Sequence, residues 1–172
     1  MSNCKHCGQS IETPDSGADG LCEPCTALSE HATQIRVTPM EAEDLELVLA
    51  WRSNPKIYRH FRNQDGPLDW ESHLSWYESR EASRHDFIIH HEGRRVGAVS
   101  ITAGEKISIY LGDFSAHGEG VATAALTWIR ERFAHRSPLI AEIHEENRAS
   151  ERLFEGCGLE QRGRDGEWIE YR

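Results

Sequence analysis

Lysine is scarce in this sequence. Of its 172 residues only three are lysines, so most of the 19 basic residues are arginines. The 29 acidic residues outnumber the basic ones and give a formal net charge of -10 at pH 7. A chain of this charge lacks the general electrostatic attraction by which proteins hold nucleic acid. The composition therefore disfavours a nucleic-acid partner, and an acidic, lysine-poor surface would suit a salt-rich cytoplasm.

Long apolar runs are also missing. No stretch approaches the roughly 20 apolar residues that a membrane-spanning helix needs, and no apolar signal segment opens the chain. We therefore expect a cytoplasmic protein without a membrane partner. A length of 172 residues allows one domain with a real core and leaves room for a small appendage.

Cysteine is nearly confined to the beginning of the chain. Four of the five cysteines form two CxxC pairs with fourteen residues between the pairs, namely Cys4, Cys7, Cys22 and Cys25. Paired CxxC motifs at this separation are typical of a tetrahedral zinc site. The segment between the pairs is rich in turn formers and almost free of apolar residues, so a bound metal would have to supply its folding free energy.

Other uses of these cysteines fit the sequence less well. Disulfides need an oxidising compartment, for which no secretion signal is present, and a redox CxxC normally lies between a strand and a helix. We predict a zinc-ribbon module with structural Zn2+ over residues 1–28 and a linker over residues 29–34. The module resembles small ribbons found at chain ends, and its role stays open between binding a protein partner, contacting the rest of the chain and capping it. Cys157 lies in apolar helical surroundings and is expected to be a buried core thiol.

Alternating strand and helix patterns fill the rest of the chain. Their periodicity predicts strands at 34–37, 86–90, 96–102, 107–111 and 139–144, and a terminal hairpin of 159–162 and 168–172. It predicts helices that end near residues 52, 81, 134 and 156. Thr38 is expected to cap the first helix in a capping box with Glu41, with Pro39 at the first helical position. Asp69 and Asn147 are expected to cap the second and fourth helices.

The strand at 107–111 leads through a glycine-containing turn into a helix. Along this strand Ile107, Ile109 and Leu111 alternate with Ser108 and Tyr110, as in a half-buried strand. The apolar residues expected on one face of the following helix are Ala122, Leu126, Ile129 and Phe133.

The turn before this helix is suited to binding an anion. Unpaired amides and the helix dipole favour phosphate at a helix N-terminus. Gly118 and Gly120 lack a Cβ, which lets the backbone come close to a ligand. The stretch is not a Walker A loop, because no Gly-Lys-Ser/Thr follows, and it lacks the third glycine of the dinucleotide fingerprint. An ordinary tight connection would use similar glycines.

Residues 117–122 resemble the acyl-CoA loop of the GNAT superfamily of N-acetyltransferases, which reads Arg/Gln-x-x-Gly-x-Gly/Ala. His117 departs from that pattern, although an imidazole can also donate to phosphate. Residues 96–99 resemble the third strand of the family, and residues 147–159 resemble its Asn-x-x-Ser…Leu-Tyr-Glu…Gly-Phe block. The order of predicted elements matches as well. The resemblance covers roughly residues 35–172 and implies an α/β fold in which helices flank a mixed central sheet, preceded here by the zinc ribbon.

The resemblance implies acetyl transfer from acetyl-CoA to a primary amine. In the family, the pantetheine arm of the coenzyme lies between two strands that splay apart, which assigns its backbone contacts to Ile109 and Leu111. The other residues that the resemblance assigns to the coenzyme are His117, Gly118, Glu119, Gly120, Val121, Ala122, Thr123, Asn147 and Ser150. Thr123 and Asn147 also have ordinary uses as a first-turn residue and a helix cap.

The catalytic groups follow the family pattern less closely. Many members protonate the departing thiolate with a tyrosine, but Phe154 occupies that position here and cannot donate a proton. Either another donor such as Tyr110 serves, or the thiolate leaves without a dedicated acid. Glu105 matches a carboxylate that often acts as the base, directly or through water, and a solvated strand-end charge is the alternative. The adjacent His90 and His91 are expected to be surface polar residues at a hairpin edge.

The acceptor amine is expected to bind at the first two helices. Residues 51–55 and 73–76 resemble the Trp-Arg-Asn…His-Leu-x-Trp pattern of GNAT enzymes that acetylate nucleotide-linked amino sugars, and also that of the ribosomal-protein acetyltransferase branch. The predicted substrate-binding residues are Arg52, Arg59, Arg62 and Trp76. Guanidinium groups pair with phosphates and an indole stacks on a base or sugar. Trp51 is a second candidate for such stacking; alternatively, both tryptophans belong to the core and the arginines are solvated.

Three functions remain open at this point. The first is acetylation of a small-molecule amine, with a nucleotide-linked amino sugar preferred, and the second is acetylation of a protein N-terminus. The third is a non-catalytic GNAT domain that serves with its zinc ribbon as an adaptor, and the unusual residues His117 and Phe154 motivate it.

Overall fold

The computed structural model describes residues 2–3, 10–11 and 33–172. The four cysteines predicted to bind zinc, Cys4, Cys7, Cys22 and Cys25, lie outside the described residues. The zinc site therefore stays a prediction from the sequence. The chain divides into two compact units, Met1–Thr33 and Gln34–Arg172.

The described residues form nine strands and five α-helices. In the first unit, β1 (Ser2–Asn3) pairs antiparallel with β2 (Ser10–Ile11). The strands of the second unit are β3 (Arg36–Pro39), β4 (His85–His91), β5 (Arg94–Ile101), β6 (Ile107–Leu111), β7 (Ala141–His144), β8 (Gln161–Asp165) and β9 (Trp168–Tyr171). Its helices are α1 (Leu45–Arg52), α2 (Pro55–Tyr58), α3 (Trp70–Glu78), α4 (Val121–Arg132) and α5 (Arg148–Gly156).

The strands of the second unit form two antiparallel sheets. Their strand orders are β3-β4-β5-β6 and β7-β9-β8. Among the described strands, the two sheets meet at a parallel bridge between Lys106 and Ile140. The predicted α/β fold with flanking helices is confirmed. The predicted mixed sheet is made of two antiparallel sheets that touch at this parallel contact, so strand pairing is less continuous than expected.

A gap opens between β6 and β7 beyond the bridge. The N–H of Ile107 donates to the carbonyl of Ile140 over 2.7 Å, whereas that of Gly112, just after β6, donates to the carbonyl of Val96 in β5 over 2.8 Å. Because hydrogen bonding alternates along an antiparallel ladder, the odd-numbered positions of β6 face β7. Ile109 and Leu111 therefore turn their backbone groups toward β7, and in the described chain the two sheets are paired only at the bridge.

Helices cover both faces of the first sheet. Successive residues of β4 point to opposite faces, and Ile88 and Ile89 are both fully buried, in different apolar clusters. The buried residues of α4 are Val121, Ala125, Leu126 and Ile129. The expected face contained Ala122, but that residue is only partly buried. The helix turns positions 121, 125 and 129, each one helical turn apart, toward the sheet instead.

The predicted start of the first helix is wrong. Thr38 and Pro39 belong to β3, where they pair with Ile88 and Phe87 of β4. The capping box occurs three residues later, with Glu41 as the N-cap of a 3-10 turn and its N–H donating to Asp44 over 2.9 Å. Pairing with β4 satisfies more of the backbone than one helical turn would, so the long-range contact outweighs the local signal.

The other capping predictions agree with the structure. Asp69 accepts a hydrogen bond from the N–H of Ser72 over 2.9 Å, and Asn147 accepts one from Ser150 over 3.2 Å. A short helix, α2, follows α1, and Asn54 caps it by accepting a hydrogen bond from the N–H of Lys56 over 3.0 Å.

Trp51 fixes the end of β6 against α1. Its side chain is buried and lies against Gly112, where a Cβ atom would be 2.1 Å from Cγ of the indole. Tyr110 packs edge-on against the same indole, with ring centroids 6.4 Å apart. Trp51 is therefore a core residue, as the alternative interpretation of the tryptophans expected.

Candidate functional site

A cavity of about 1210 Å³ lies in the unit Gln34–Arg172. It follows β6 and is bordered by the turn before α4, by the N-terminus of α5 and by the α1–α2 region. Of the residues assigned to the coenzyme by resemblance, all but Glu119 line it, and so do the four residues assigned to the acceptor. The structure thus brings the two predicted sets to one cavity.

The turn before α4 presents backbone amides to the cavity. Gly118 and Gly120 have backbone φ angles of 79° and 77°, which residues other than glycine rarely adopt. Gly120 is the N-cap of α4, and its carbonyl accepts from the N–H of Ala124 over 3.0 Å. The preceding amides, of residues 121–123, therefore lie outside the helical ladder at the positive end of the helix dipole. An anionic group is favoured at this position.

His117 lies beside this turn. Its Nε2 is 3.4 Å from the carbonyl oxygen of Leu111, and its ring packs edge-on against Phe114 with centroids 5.2 Å apart. Nζ of Lys56 lies over the ring of Phe114, 5.6 Å from its centroid. This end of the cavity therefore combines a cation, an imidazole and a partly exposed aromatic ring.

Glu119 is turned away from the cavity by His91. Nε2 of His91 is 3.0 Å from a carboxylate oxygen of Glu119, and Nδ1 is 3.0 Å from the carbonyl oxygen of Gln34. His91 is buried, contrary to the expectation of a surface residue. It lies on the face of β4 that α4 covers, and no local sequence signal marks that placement. The Gln34 carbonyl, and to a lesser extent Glu119, raise the pKa of His91.

The residues of α5 contribute a cap and an apolar wall. Asn147 caps the helix through Ser150 and also borders the cavity, so the capping use is present. Phe154 is buried and reaches the same cavity. Its ring offers no proton, so any acid in this cavity must come from another element.

The hydroxyl of Tyr110, on β6, can serve as this acid. Tyr110 lies in the cavity wall between two aromatic rings, Trp51 and Phe61, and the Phe61 centroid is 5.6 Å away in an edge-to-face arrangement. Burial raises the pKa of Tyr110 above its ordinary value, although nearby Arg52 acts in the opposite direction. The hydroxyl is therefore protonated at neutral pH and able to donate.

Glu105 lies apart from Tyr110, in the turn that precedes β6. Its φ angle is 62°, and its carboxylate pairs with the Arg136 guanidinium over 2.7 Å. Glu105 is not among the residues that border the cavity. A carboxylate held by an arginine outside the cavity reaches a bound amine only through water.

Arg52 is the acceptor-side residue with the most distinctive surroundings. It donates to Gln64 over 3.0 Å, and its guanidinium lies 5.0 Å from the Phe61 ring and 5.8 Å from the Trp76 ring. Nε of Arg52 is buried and has no hydrogen-bond partner among the described residues. Burial lowers the pKa of Arg52, yet arginine stays charged at neutral pH. A buried donor without a partner is costly and suits a ligand oxygen.

The other predicted arginines are already engaged. Arg59 donates to His60 over 3.1 Å. Arg62 pairs with Glu142 over 3.2 Å and with Asp165. Arg84, which no sequence pattern marked, also lies here: its guanidinium is 5.3 Å from the Trp76 ring and pairs with Asp86 over 2.9 Å.

The charge of the cavity wall opposes that of the whole chain. The cationic residues that border it are Arg52, Lys56, Arg59, Arg62, Arg84, Lys106 and Arg152. The carboxylates among the bordering residues are Asp86 and Glu142. A cationic cavity in a chain of net charge -10 concentrates anionic ligands there.

The described ranges are residues 2–3, 10–11 and 33–172. No helix in these ranges is long and apolar enough to cross a membrane. No group of three or more His, Cys, Asp and Glu residues in the same ranges is placed to hold a metal ion.

Comparison with known proteins identifies the fold. The profile of the acetyltransferase (GNAT) domain family matches residues 34–160. An uncharacterized protein of Methanocaldococcus jannaschii is 36% identical over 162 residues, and the match covers 84% of this chain and 32% of that protein. This chain therefore spans about a third of the length of that relative.

Solved structures are also similar to the chain. The crystal structure of a domain from M. jannaschii is 32% identical, covers 81% of this chain and 97% of the domain, and has a TM-score of 0.74. Spermidine N-acetyltransferase from Vibrio cholerae, solved with CoA and spermine, is 14% identical, covers 81% of this chain and 93% of the enzyme, and has a TM-score of 0.66. At 14% identity, the match to the Vibrio cholerae enzyme shows a shared fold alone.

The family profile covers most of the chain and begins where the second compact unit begins. The two sheets of the second unit, the gap between β6 and β7 and the glycine turn before α4 lie within or next to that span. The resemblance drawn from the sequence is therefore confirmed at the level of the family. The chain belongs to the GNAT family of acetyltransferases.

Proposed function

We propose that the chain is an acetyl-CoA-dependent N-acetyltransferase that acts on a primary amine. One observation carries the proposal: a single cavity joins the open edge of β6 to the N-terminal amides of α4. Family membership supports it, as does the CoA bound to the spermidine N-acetyltransferase that shares the fold.

The two ends of the coenzyme have matching positions in this proposal. The pantetheine arm lies along β6 and bonds to the backbone of Ile109 and Leu111, as an added strand does. The diphosphate lies at the amides of Val121, Ala122 and Thr123, which the helix dipole makes electropositive. The Thr123 hydroxyl and His117 add donors at the same end.

Acetyl transfer forms a bond from the amine nitrogen to the thioester carbon and breaks the carbon–sulfur bond. The amine loses a proton and the thiolate gains one. We assign the donor role to Tyr110, because this residue borders the cavity and a phenol carries its proton at neutral pH. Glu105 stays the proposed base. Its pairing with Arg136 and its place outside the cavity wall mean that it would act through water.

The acceptor that suits the cavity is a small amine that carries an anionic group. Arg52 supplies a buried, unpartnered N–H, and Trp76 supplies an indole that borders the cavity. The guanidinium groups of Arg52 and Arg84 lie over this indole. A planar group of the acceptor would therefore meet an aromatic surface and a charged surface together. A nucleotide-linked amino sugar offers a phosphate and a ring system, so we place it ahead of a peptide N-terminus.

Thiol release in steady-state assays tests the acceptor. Arg52→Ala is expected to lower kcat/KM for the anionic acceptor by about 10- to 150-fold, since a charged hydrogen bond contributes about 1.5–3 kcal/mol. CoA affinity measured by calorimetry should not change. Arg162→Ala removes an exposed arginine paired with Glu160 and serves as the matched control, which should resemble the wild type. Efficient acetylation of peptide N-termini with no turnover of any amino-sugar nucleotide would contradict this choice.

A non-catalytic adaptor is the second candidate function. The apolar Phe154 in place of the usual acid and the ion pair on Glu105 favour it. An adaptor of this kind would not bind acetyl-CoA in calorimetry, whereas the proposed enzyme binds it and releases thiol in the presence of its amine.

We also propose a modular chain with a zinc ribbon at residues 1–28, a linker at 29–34 and the transferase domain at 35–172. The spacing of the four cysteines and the division after Thr33 support it. Protein purified without chelator is expected to contain about one zinc per chain. Metal-free protein would contradict the ribbon. A protein partner for the ribbon and a cytoplasmic location stay predictions from the sequence.

A further inference from the structure

The imidazole of His91 lies between two hydrogen-bond acceptors. The Gln34 carbonyl oxygen is 3.0 Å from Nδ1, and a Glu119 carboxylate oxygen is 3.0 Å from Nε2. A neutral imidazole has one N–H, whereas the imidazolium has two. Both contacts are therefore satisfied together when His91 is protonated.

The contact between His91 and Glu119 affects the cavity, because Glu119 lies in the turn that borders it. Gly118 and Gly120, on either side of it, border the cavity, but Glu119 does not. A carboxylate in the middle of a diphosphate-binding turn would repel the ligand if it swung inward. His91 is buried on β4 and anchored to Gln34, so it holds the carboxylate from a rigid strand.

We propose that His91 is a positioning residue for the coenzyme: its protonated ring holds Glu119 away from the amides of the α4 N-terminus. The inference rests on the proposed function of the cavity. It makes coenzyme affinity depend on the protonation of a residue that lies outside the cavity wall.

The direction of the pH dependence follows from the surroundings of His91. The pKa of His91 is raised by the Gln34 carbonyl first, is lowered by burial, and is raised further by Glu119 and by Glu92 in the turn after β4. The imidazolium is present below this raised pKa and is lost as the pH rises through it. The neutral ring keeps a single N–H, and when that N–H serves the Gln34 carbonyl, Nε2 presents a lone pair to Glu119, the contact breaks, and coenzyme affinity falls.

Calorimetric titration of the full chain with CoA, from about pH 6.5 to about pH 9, tests the inference. The wild type should lose about tenfold in affinity across this range, as expected if CoA raises the pKa of His91 by one unit. Glu119→Gln should show little dependence on pH, because the amide can donate to Nε2 of a neutral His91. His90→Gln is the matched control, since that ring contacts Thr38 and Arg36 on the opposite face of β4 and should leave the wild-type profile unchanged.

An NMR titration of His91 supplies a second measurement. Its pKa should lie above that of an ordinary histidine in the wild type and fall in Glu119→Gln. Parallel pH profiles for CoA binding in the wild type and Glu119→Gln, with binding retained, would overturn the inference alone. No CoA binding by the wild type at any pH would overturn the proposed function together with it.

Discussion

Adding one methyl group at Gly112 should destabilise the protein and disturb the cavity. In Gly112→Ala the new Cβ would lie 2.1 Å from Cγ, 2.2 Å from Cδ2 and 2.3 Å from Cδ1 of the Trp51 indole. An indole is rigid, and this one is buried, so it cannot turn aside as a flexible chain end would. The ring and the end of β6 must separate by more than about 1 Å to restore ordinary contact.

The expected loss follows from two opposing effects. Overpacking a buried site costs about 1–3 kcal/mol, and the displacement required here places Gly112→Ala near the upper end. Replacing glycine by alanine restricts the unfolded chain and returns about 0.4–1 kcal/mol. We expect a net loss of about 2 kcal/mol in the free energy of unfolding. Because Tyr110 packs against the same indole, kcat should fall more than CoA affinity.

Urea denaturation followed by tryptophan fluorescence measures this loss as a lower midpoint at an unchanged m value. Gly156→Ala is the matched control. A Cβ at Gly156 meets nothing within 4 Å, and the residue ends α5, so helix propensity should raise stability by about 0.5–1 kcal/mol. Equal stability of Gly112→Ala and the wild type would show that the described contact between Trp51 and Gly112 does not limit packing.

Three further predictions concern the coenzyme turn, α5 and the ribbon. Gly120→Asp should abolish CoA binding in calorimetry while circular dichroism stays native, because φ is 77° there and a carboxylate would face the diphosphate; unchanged affinity would remove the turn from the coenzyme site. Phe154→Ala should lower the free energy of unfolding by about 3–5 kcal/mol, since the ring is buried, whereas Phe154→Tyr should fold and raise turnover if its hydroxyl reaches the thiolate. Chelation should remove zinc but leave CoA binding intact, and simultaneous loss of both would indicate that the transferase domain also depends on the metal.

Local sequence signals were sufficient for the central elements of the fold. The alternation at 107–111 gave the observed bounds of β6. Asp69 and Asn147 cap the predicted helices because a short polar side chain reaches its own backbone three residues later. These features depend on neighbours in sequence, which a single chain displays directly.

Features that depend on distant partners were not accessible in this way. Thr38 begins no helix, because it pairs with β4 some fifty positions later. Glu105 meets Arg136, and His91 meets Glu119, across separations that no periodicity encodes. Arg84 contacts Trp76 from beyond the end of α3, where no helical periodicity relates the two residues. The sequence therefore predicted which segments form the cavity better than it predicted which charges are already paired there.

The divergence of β6 from β7 also bears on how the chain avoids aggregation. An unpaired strand edge is normally a template on which another chain can add a strand. Here the open edge at Ile109 and Leu111 faces a cavity bordered by α4 and α5 rather than bulk solvent. A slender ligand can enter where a second folded chain cannot. The same recess that leaves backbone groups available for a ligand therefore protects them from intermolecular β-pairing.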